Sequence, residues 1–300
     1  MNLFSISQLA QYSGIKPHTI RIWEQRYNAL KPDRSEGNTR YYNGEQLRRL
    51  LNIVSLLDSK YKVSELCTMP DKQLSELVLE RKQSITNETS EYFVSQLISS
   101  GMAYQQDQFE ELFEQCISKY GLLKAYKIII YPMLVRVGLM WSANSIPNVQ
   151  EHFISNIVRQ KLLRSIDSLP PALPEADKWV LFLPEDEFHE IGLLFAAFII
   201  RKSGHKVVYL GSSVSPEAVT SAVKDIMPQY LLLFLVHYNL VEDVQRYLND
   251  LDRGIHEKGI YVAGNGKLLN QIDFPDQVHW LRDIDSLEKL ITIHPNTEYV

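Results

Sequence analysis

The sequence predicts a fold that is helical first and α/β afterwards: a winged helix-turn-helix, then a four-helix bundle, then a five-stranded parallel sheet flanked by helices. Three observations predict it. Residues 177 to 300 alternate short apolar runs with helix-length stretches, the pattern of a doubly wound parallel sheet. Residues 92 to 169 carry four successive stretches with apolar residues at helical spacing, as a four-helix bundle requires. The first 75 residues place two short helices around Gly14 and follow them with a turn-rich, basic stretch. The domains are accordingly expected at 1–75, 90–169 and 177–300, and 300 residues with 45% hydrophobic content suffice for separate cores.

The head begins with Ser5-x-x-Gln8, a capping-box pattern in which each side chain satisfies a backbone donor at the other's position. Ile6, Leu9 and Ala10 then share one helical face, and Gly14 closes the turn. Lys16-Pro17 opens a second helix through Tyr27, with Pro17 in the first turn, where its missing N–H costs nothing. Residues 31 to 44, KPDRSEGNTRYYNG, read as a β-hairpin wing. Charge separates this head from the rest. Residues 1 to 62 hold ten Lys and Arg against five acids, a net of +5, so the remaining 238 residues carry −10 to reach the chain's −5. A basic head on an acidic body suggests that one end meets phosphate. Lys16, His18, Thr19, Arg21, Trp23 and Arg26 on the second helix, and Arg34, Arg40 and Tyr42 on the wing, are the expected contacts to double-stranded DNA. Surface cations usually form only a solvated face, but these are confined to the two elements that a winged helix turns toward DNA.

Glu45 to Leu57 is an amphipathic helix, and Tyr61 to Glu80 adds a helical piece broken at Pro70. RKQSITNETSE, residues 81 to 91, has no large apolar residue except Ile85 and reads as a linker. In the bundle the third helix, Leu122 to Met140, contains Pro132, which should kink or break it. Trp141 to Asn148 forms a loop into a helix that starts near Glu151-His152, and the proline-rich segment 169 to 174 is a stiff connector.

In the sheet region the expected strands are Trp179–Pro184, Lys206–Leu210, Tyr230–Val236, Gly259–Ala263 and Val278–Leu281. The first matters most. WVLFLPEDEFHEIG is a buried strand, a polar turn and the start of a packed helix, which sets His189 at the carboxyl edge of the sheet, where open α/β folds bind ligands. An imidazole suits a transition metal, and Glu187 or Asp186 is placed to fix its other ring nitrogen.

Glu187-x-His189-x-x-Gly192 resembles a cobalamin-binding signature in which the histidine replaces the nucleotide base as lower cobalt ligand. The Glu variant resembles light-responsive MerR-type repressors of the CarH/LitR kind. Trp141, nine residues, then Glu151-His152 is similar to that family's bundle motif, and TIRIWEQRY followed by RSEGNTRYY is similar to its winged helix-turn-helix, with Trp23 where a tyrosine is commoner. Singly, His189 reads as a helix-end hydrogen-bonding residue and Trp141 as a core aromatic; together, in order and a domain apart, they favour the family. The resemblance implies a flavodoxin-like strand order and a cobalamin, adenosylcobalamin in particular. His189 would ligate cobalt from below. Trp141 and Glu151 would cover the upper axial group, and His152 would take the upper position once light has broken the carbon–cobalt bond. Gly264 would stand where backbone approaches the nucleotide tail. Because a single small winged helix offers few phosphate contacts, a homo-oligomer, dimer or tetramer, is expected.

Two positions depart from that pattern. Phe234 stands near a serine that helps to hold the nucleotide tail, and Ala263-Gly264 replaces a Gly-Gly, so the slot for the tail is narrowed. These departures sustain an alternative, a cofactor-free MerR-type regulator with a degenerate cobalamin domain, controlled by a protein partner or another ligand. An enzyme is not expected: no Ser/His/Asp set, P-loop or strand-linked G-x-G-x-x-G is present, and a methyl carrier would leave no separate substrate domain. Cys67 and Cys116, without metal-site spacing, read as free thiols in a reducing compartment. With no leader-like N-terminus and no apolar run long enough for a bilayer, a cytoplasmic, membrane-free location is expected.

Overall fold

The computed structural model describes residues 3–34, 38–82, 89–142, 146–237, 240–255 and 259–293. The chain forms two compact units, Met1–Ile157 and Val158–Val300.

In the first unit, α1 (Ile6–Ser13) starts on the capping box its sequence encodes: Ser5 N–H donates to Gln8 Oε1 at 2.7 Å and Gln8 N–H donates to Ser5 Oγ at 3.3 Å. Gly14 ends it in the left-handed region (φ 73°), where a Cβ would be strained and would stand 3.0 Å from Arg136 Nη2. α2 (Pro17–Tyr27) follows, then β1 (Asp33–Arg34) and β2 (Arg40–Tyr41), paired antiparallel as the base of the wing. Residues 35–37 of the expected wing lie outside the described residues. α3 (Gly44–Ser55), α4 (Val63–Thr68) and α5 (Asp71–Lys82) complete the head, with Pro70 between the last two. Most of the expected linker, residues 83–88, also lies outside the described residues.

Head and bundle pack within this one unit. Gln96 on α6 (Ser90–Met102) is buried and donates through Nε2 to Ser55 Oγ at 3.2 Å and Asn52 Oδ1 at 3.3 Å on α3. α7 (Gln106–Ala125) leaves helical geometry at Gly121 (φ 71°, ψ 152°), and after a π-helical turn, Tyr126–Ile130, comes α8 (Tyr131–Ser142). The disturbance expected at Pro132 takes the form of that widened turn: Tyr131 N–H reaches back to Tyr126 O instead of the nearer carbonyl. Pro132 has no N–H to give and its ring crowds the carbonyl four residues back, and a π turn relieves both. Arg136 on α8 donates twice to Glu91 on α6, at 2.6 and 2.8 Å. α9 (Asn148–Asp167) is a 20-residue helix, and the division between the units falls inside it.

The second unit holds β3 (Lys178–Pro184), β4 (Lys206–Val214), β5 (Tyr230–Leu235), β6 (Gly259–Gly264) and β7 (Val278–Trp280), all parallel in the order β4-β3-β5-β6-β7. This is the flavodoxin-like order, and its topological switch point lies between β3 and β5. The connecting helices are α10 (Glu190–Lys202), α11 (Pro216–Ile226), α12 (Val241–Gly254), a short α13 (Gly266–Leu269) that periodicity does not signal, and α14 (Ile284–Ile293). Alternation sorts the strand residues: Phe182, Leu233 and Leu235 join a core with Val219 and Leu248 of α11 and α12, and Phe234 between them faces the other side. β4 runs to Val214, past the expected Leu210, because register shifts beside Phe182 and a left-handed Gly211 (φ 88°) let pairing resume beyond an irregularity.

Candidate functional sites

At the carboxyl edge of the sheet, β3 ends in a turn that buries one carboxylate. Asp186 takes a left-handed conformation (φ 61°), and Glu187 folds inward until it is 0% exposed. Its Oε1 accepts from Phe188 N–H (2.9 Å), His189 N–H (3.0 Å) and the His189 ring at Nδ1 (2.6 Å). Its Oε2 accepts from Val236 N–H (2.8 Å) and His237 N–H (2.7 Å), just beyond β5. Burial alone would raise the carboxyl's pKa; the His189 ring and the backbone N–H groups of His237, His189 and Val236 outweigh it and hold the pKa at about 2. Glu187 is therefore the residue, of the two considered, that fixes the imidazole, and it bridges the two strands that flank the switch point.

His189 sits at the N-cap of α10 with its side chain 51% exposed. An ionised carboxylate at Nδ1 requires the proton there, so Nε2 is the nitrogen with a lone pair to offer a metal. An oriented imidazole of this kind suits a transition metal, and a single such donor would fit a metal whose other ligands come from a cofactor such as a corrin. Among the described residues no cluster of three or more His, Cys, Asp or Glu could hold a bare metal ion. Exposed apolar side chains flank the histidine along the chain: Phe188, 65% exposed, and Val236 beside the Glu187 cradle, with Leu240 opening α12. The His237 ring lies 6.0 Å from that of His189 between centroids. Glu190 is tied down by Arg159 Nε at 2.9 Å and by the Tyr209 hydroxyl at 3.3 Å. Sequence reasoning passed over these neighbours; the polar break after YLLLFLV at the end of β5 was the signal for Val236 and His237.

Gly192 and Gly264, both expected at the cofactor, stand in close contacts. A Cβ on Gly192 would come within 2.7 Å of the Phe234 ring, so an edge of the ring packs against the start of α10. A Cβ on Gly264 (φ 136°) would meet Leu235 O at 2.0 Å, so this position needs glycine where β6 pairs with the end of β5.

In the first unit Trp141 closes α8, 37% exposed, and donates from Nε1 to Asn148 Oδ1 at 2.9 Å, the first residue of α9. Glu151 and His152 lie in the next turn and touch each other at 3.1 Å (Oε2 to Nδ1), with His152 the more exposed. The Trp141–Asn148 bond thus draws both parts of the bundle motif together.

On the head, Lys16, His18, Arg21 and Arg26 are exposed along α2, Thr19 is half-buried, and Arg34 is exposed on β1. Arg40 is half-buried: its Nε donates to Glu24 Oε1 at 2.8 Å, while Tyr42 donates its hydroxyl to Glu24 Oε2 at 2.8 Å. Glu24 therefore fastens the wing to α2. Tyr42 (0% exposed) and Trp23 (8% exposed), both expected at the DNA, are instead core residues of the head, because ring burial behind α2 outweighs surface placement there.

Comparison with known proteins gives two family matches. Residues 4–69 match the MerR HTH family regulatory protein domain and residues 93–164 match the B12 binding domain. The chain is 27% identical over 256 residues to the HTH-type transcriptional repressor CarH of Myxococcus xanthus, covering 84% of this chain and 85% of that protein. To the HTH-type transcriptional repressor CarA of the same organism it is 25% identical over 267 residues, 87% of this chain and 86% of the relative. Among solved structures, the monomethylamine corrinoid protein of Methanosarcina barkeri superposes with a TM-score of 0.52 at 15% identity, covering 71% of this chain and all of that one, a likeness of fold alone.

Proposed function

We propose that this chain, which joins a MerR-type helix-turn-helix head to a B12 binding domain, is a DNA-binding transcriptional regulator whose sensor takes a cobalamin, adenosylcobalamin in particular. The observation that carries the reading is the Glu187–His189 pair, a buried carboxylate that orients an exposed imidazole at the switch point of the sheet. When bound, the cofactor supplies a cobalt centre with an exchangeable upper axial group. His189 would hold the metal through Nε2, and Glu187 would keep that nitrogen aimed. Trp141 and Glu151 would shield the cofactor's exchangeable group, and His152 would be the imidazole the bundle could offer it. Such a cofactor would give the sensor two states, with and without its exchangeable group, and light would be the means of passing from one to the other.

The head supports the other half of the reading. α2 offers exposed Lys16, His18, Arg21 and Arg26, while Glu24 sets the wing beside it. Coupling has a material route within the first unit: α8 carries Trp141 in its last turn, and its Arg136 lies against Gly14, the turn that joins α1 and α2. A ligand shifts such an equilibrium only by its difference in affinity for the two states.

The DNA half is tested by titrating duplex DNA at several salt concentrations. Replacing Arg21→Ala is expected to weaken binding and to lower the slope of log affinity against log salt by roughly 0.9 if one phosphate contact is lost. Unchanged affinity and slope would remove α2 from the interface.

A further inference from the structure

The ring of Phe234 occupies the space between β5 and the first turn of α10: its Cε1 and Cδ1 lie 2.7 and 2.8 Å from where a Cβ of Gly192 would stand. A side chain added there would force the ring aside, and so would a ligand group entering between the ring and the helix backbone. Phe234 belongs to the sheet face opposite the core formed with α11 and α12, and it lies one turn of α10 below His189. Its neighbour across β5 and β6 is Ala263. At the switch point His189 is thus exposed at the rim, and the half-buried ring of Phe234 occupies the space against the first turn of α10.

A complete cobalamin ligates its own cobalt from below with a base carried on a nucleotide arm. If His189 takes that position, as the proposed function holds, the base is displaced and the arm hangs from the same lower face, toward the sheet edge. Phe234 fills the space beside His189 that would lead such an arm down along α10. We infer that Phe234 is a specificity-determining residue that selects corrinoids lacking the nucleotide arm over complete ones. A complete cobalamin binds with its arm held outside, and so more weakly.

The test compares two corrinoids that both leave the lower cobalt position without an internal ligand: cobinamide, which has no nucleotide, and a complete corrinoid whose nucleotide carries a phenolic, non-coordinating base. Competition between the internal base and His189 is thereby absent from both. Binding is read from the change in visible spectrum on titration into the full-length chain. The wild-type protein is expected to bind cobinamide tighter by roughly tenfold or more, the size of a modest overpacking cost. Phe234→Ser is expected to bring the two affinities together by strengthening the complete corrinoid while leaving cobinamide unchanged, which also reports that the variant is folded. Equal affinities in the wild type, or tighter binding of the complete corrinoid, would overturn the inference and leave the corrinoid sensor standing. Binding of neither compound by the wild type would overturn both and favour a cofactor-free regulator. The wild-type comparison decides the matter even if Phe234→Ser does not fold.

Discussion

His189→Ala is expected to lower corrinoid retention on the order of 100-fold or more, since loss of a residue that merely orients a metal ligand already costs about 10- to 100-fold. The reason lies in the division of labour at the carboxyl edge of the sheet. Glu187 is buried and spends both oxygens on five donors, so it has no capacity left for a metal, and the exposed imidazole is the group that can reach one. Glu187→Gln separates orientation from ligation. It keeps His189 but loses the ionised acceptor at Nδ1, and retention should fall to an intermediate level. Both effects are read by mixing with excess corrinoid, desalting and recording the bound cobalt spectrum. Equal retention by wild type and His189→Ala would make the histidine a structural N-cap residue.

Acid is expected to destabilise the second unit through Glu187. Its folded pKa, about 2, lies below the ordinary 4.5 of an unfolded glutamate. A depressed carboxyl contributes stability that is fully present above the unfolded value and is lost as pH falls from about 4.5 toward the folded value. Two and a half units of difference correspond to roughly 3 kcal/mol at neutral pH. Glu187→Gln puts an amide donor where one pair of backbone N–H groups needs an acceptor, so it should remove a similar amount. Chemical denaturation of wild type and variant between pH 7 and pH 3 checks this: the gap should be wide at neutral pH and narrow in acid. A gap that does not change with pH would mean that the ionised state of Glu187 is not what holds the β3 and β5 ends together.

Much of this was legible in the sequence because local rules and tertiary packing agree. The capping box at Ser5, the proline start of α2, the Pro70 break and the alternation of strands and helices after residue 177 all settle as written. His189 was legible for the same reason, since an apolar strand that ends in a polar turn puts the turn's side chains at one edge. What was not legible depended on groups distant in sequence. The N–H donors of Val236 and His237 that hold Glu187 come from another strand, about fifty residues on. Periodicity shows which face of α2 is apolar, but not that Glu24 draws Tyr42 inward behind it. Pro132 announced a disturbance without its kind, because a kink and a π turn both relieve the same clash.

The most direct test of a corrinoid sensor that governs the DNA head is the mass of the assembly by light scattering, with and without adenosylcobalamin in excess, in darkness and after illumination. Oligomers place several heads on neighbouring half-sites and so raise their effective concentration on DNA. The expected result is a larger assembly with cofactor in the dark that returns to the cofactor-free mass in light. One unchanging mass under all four conditions would contradict it.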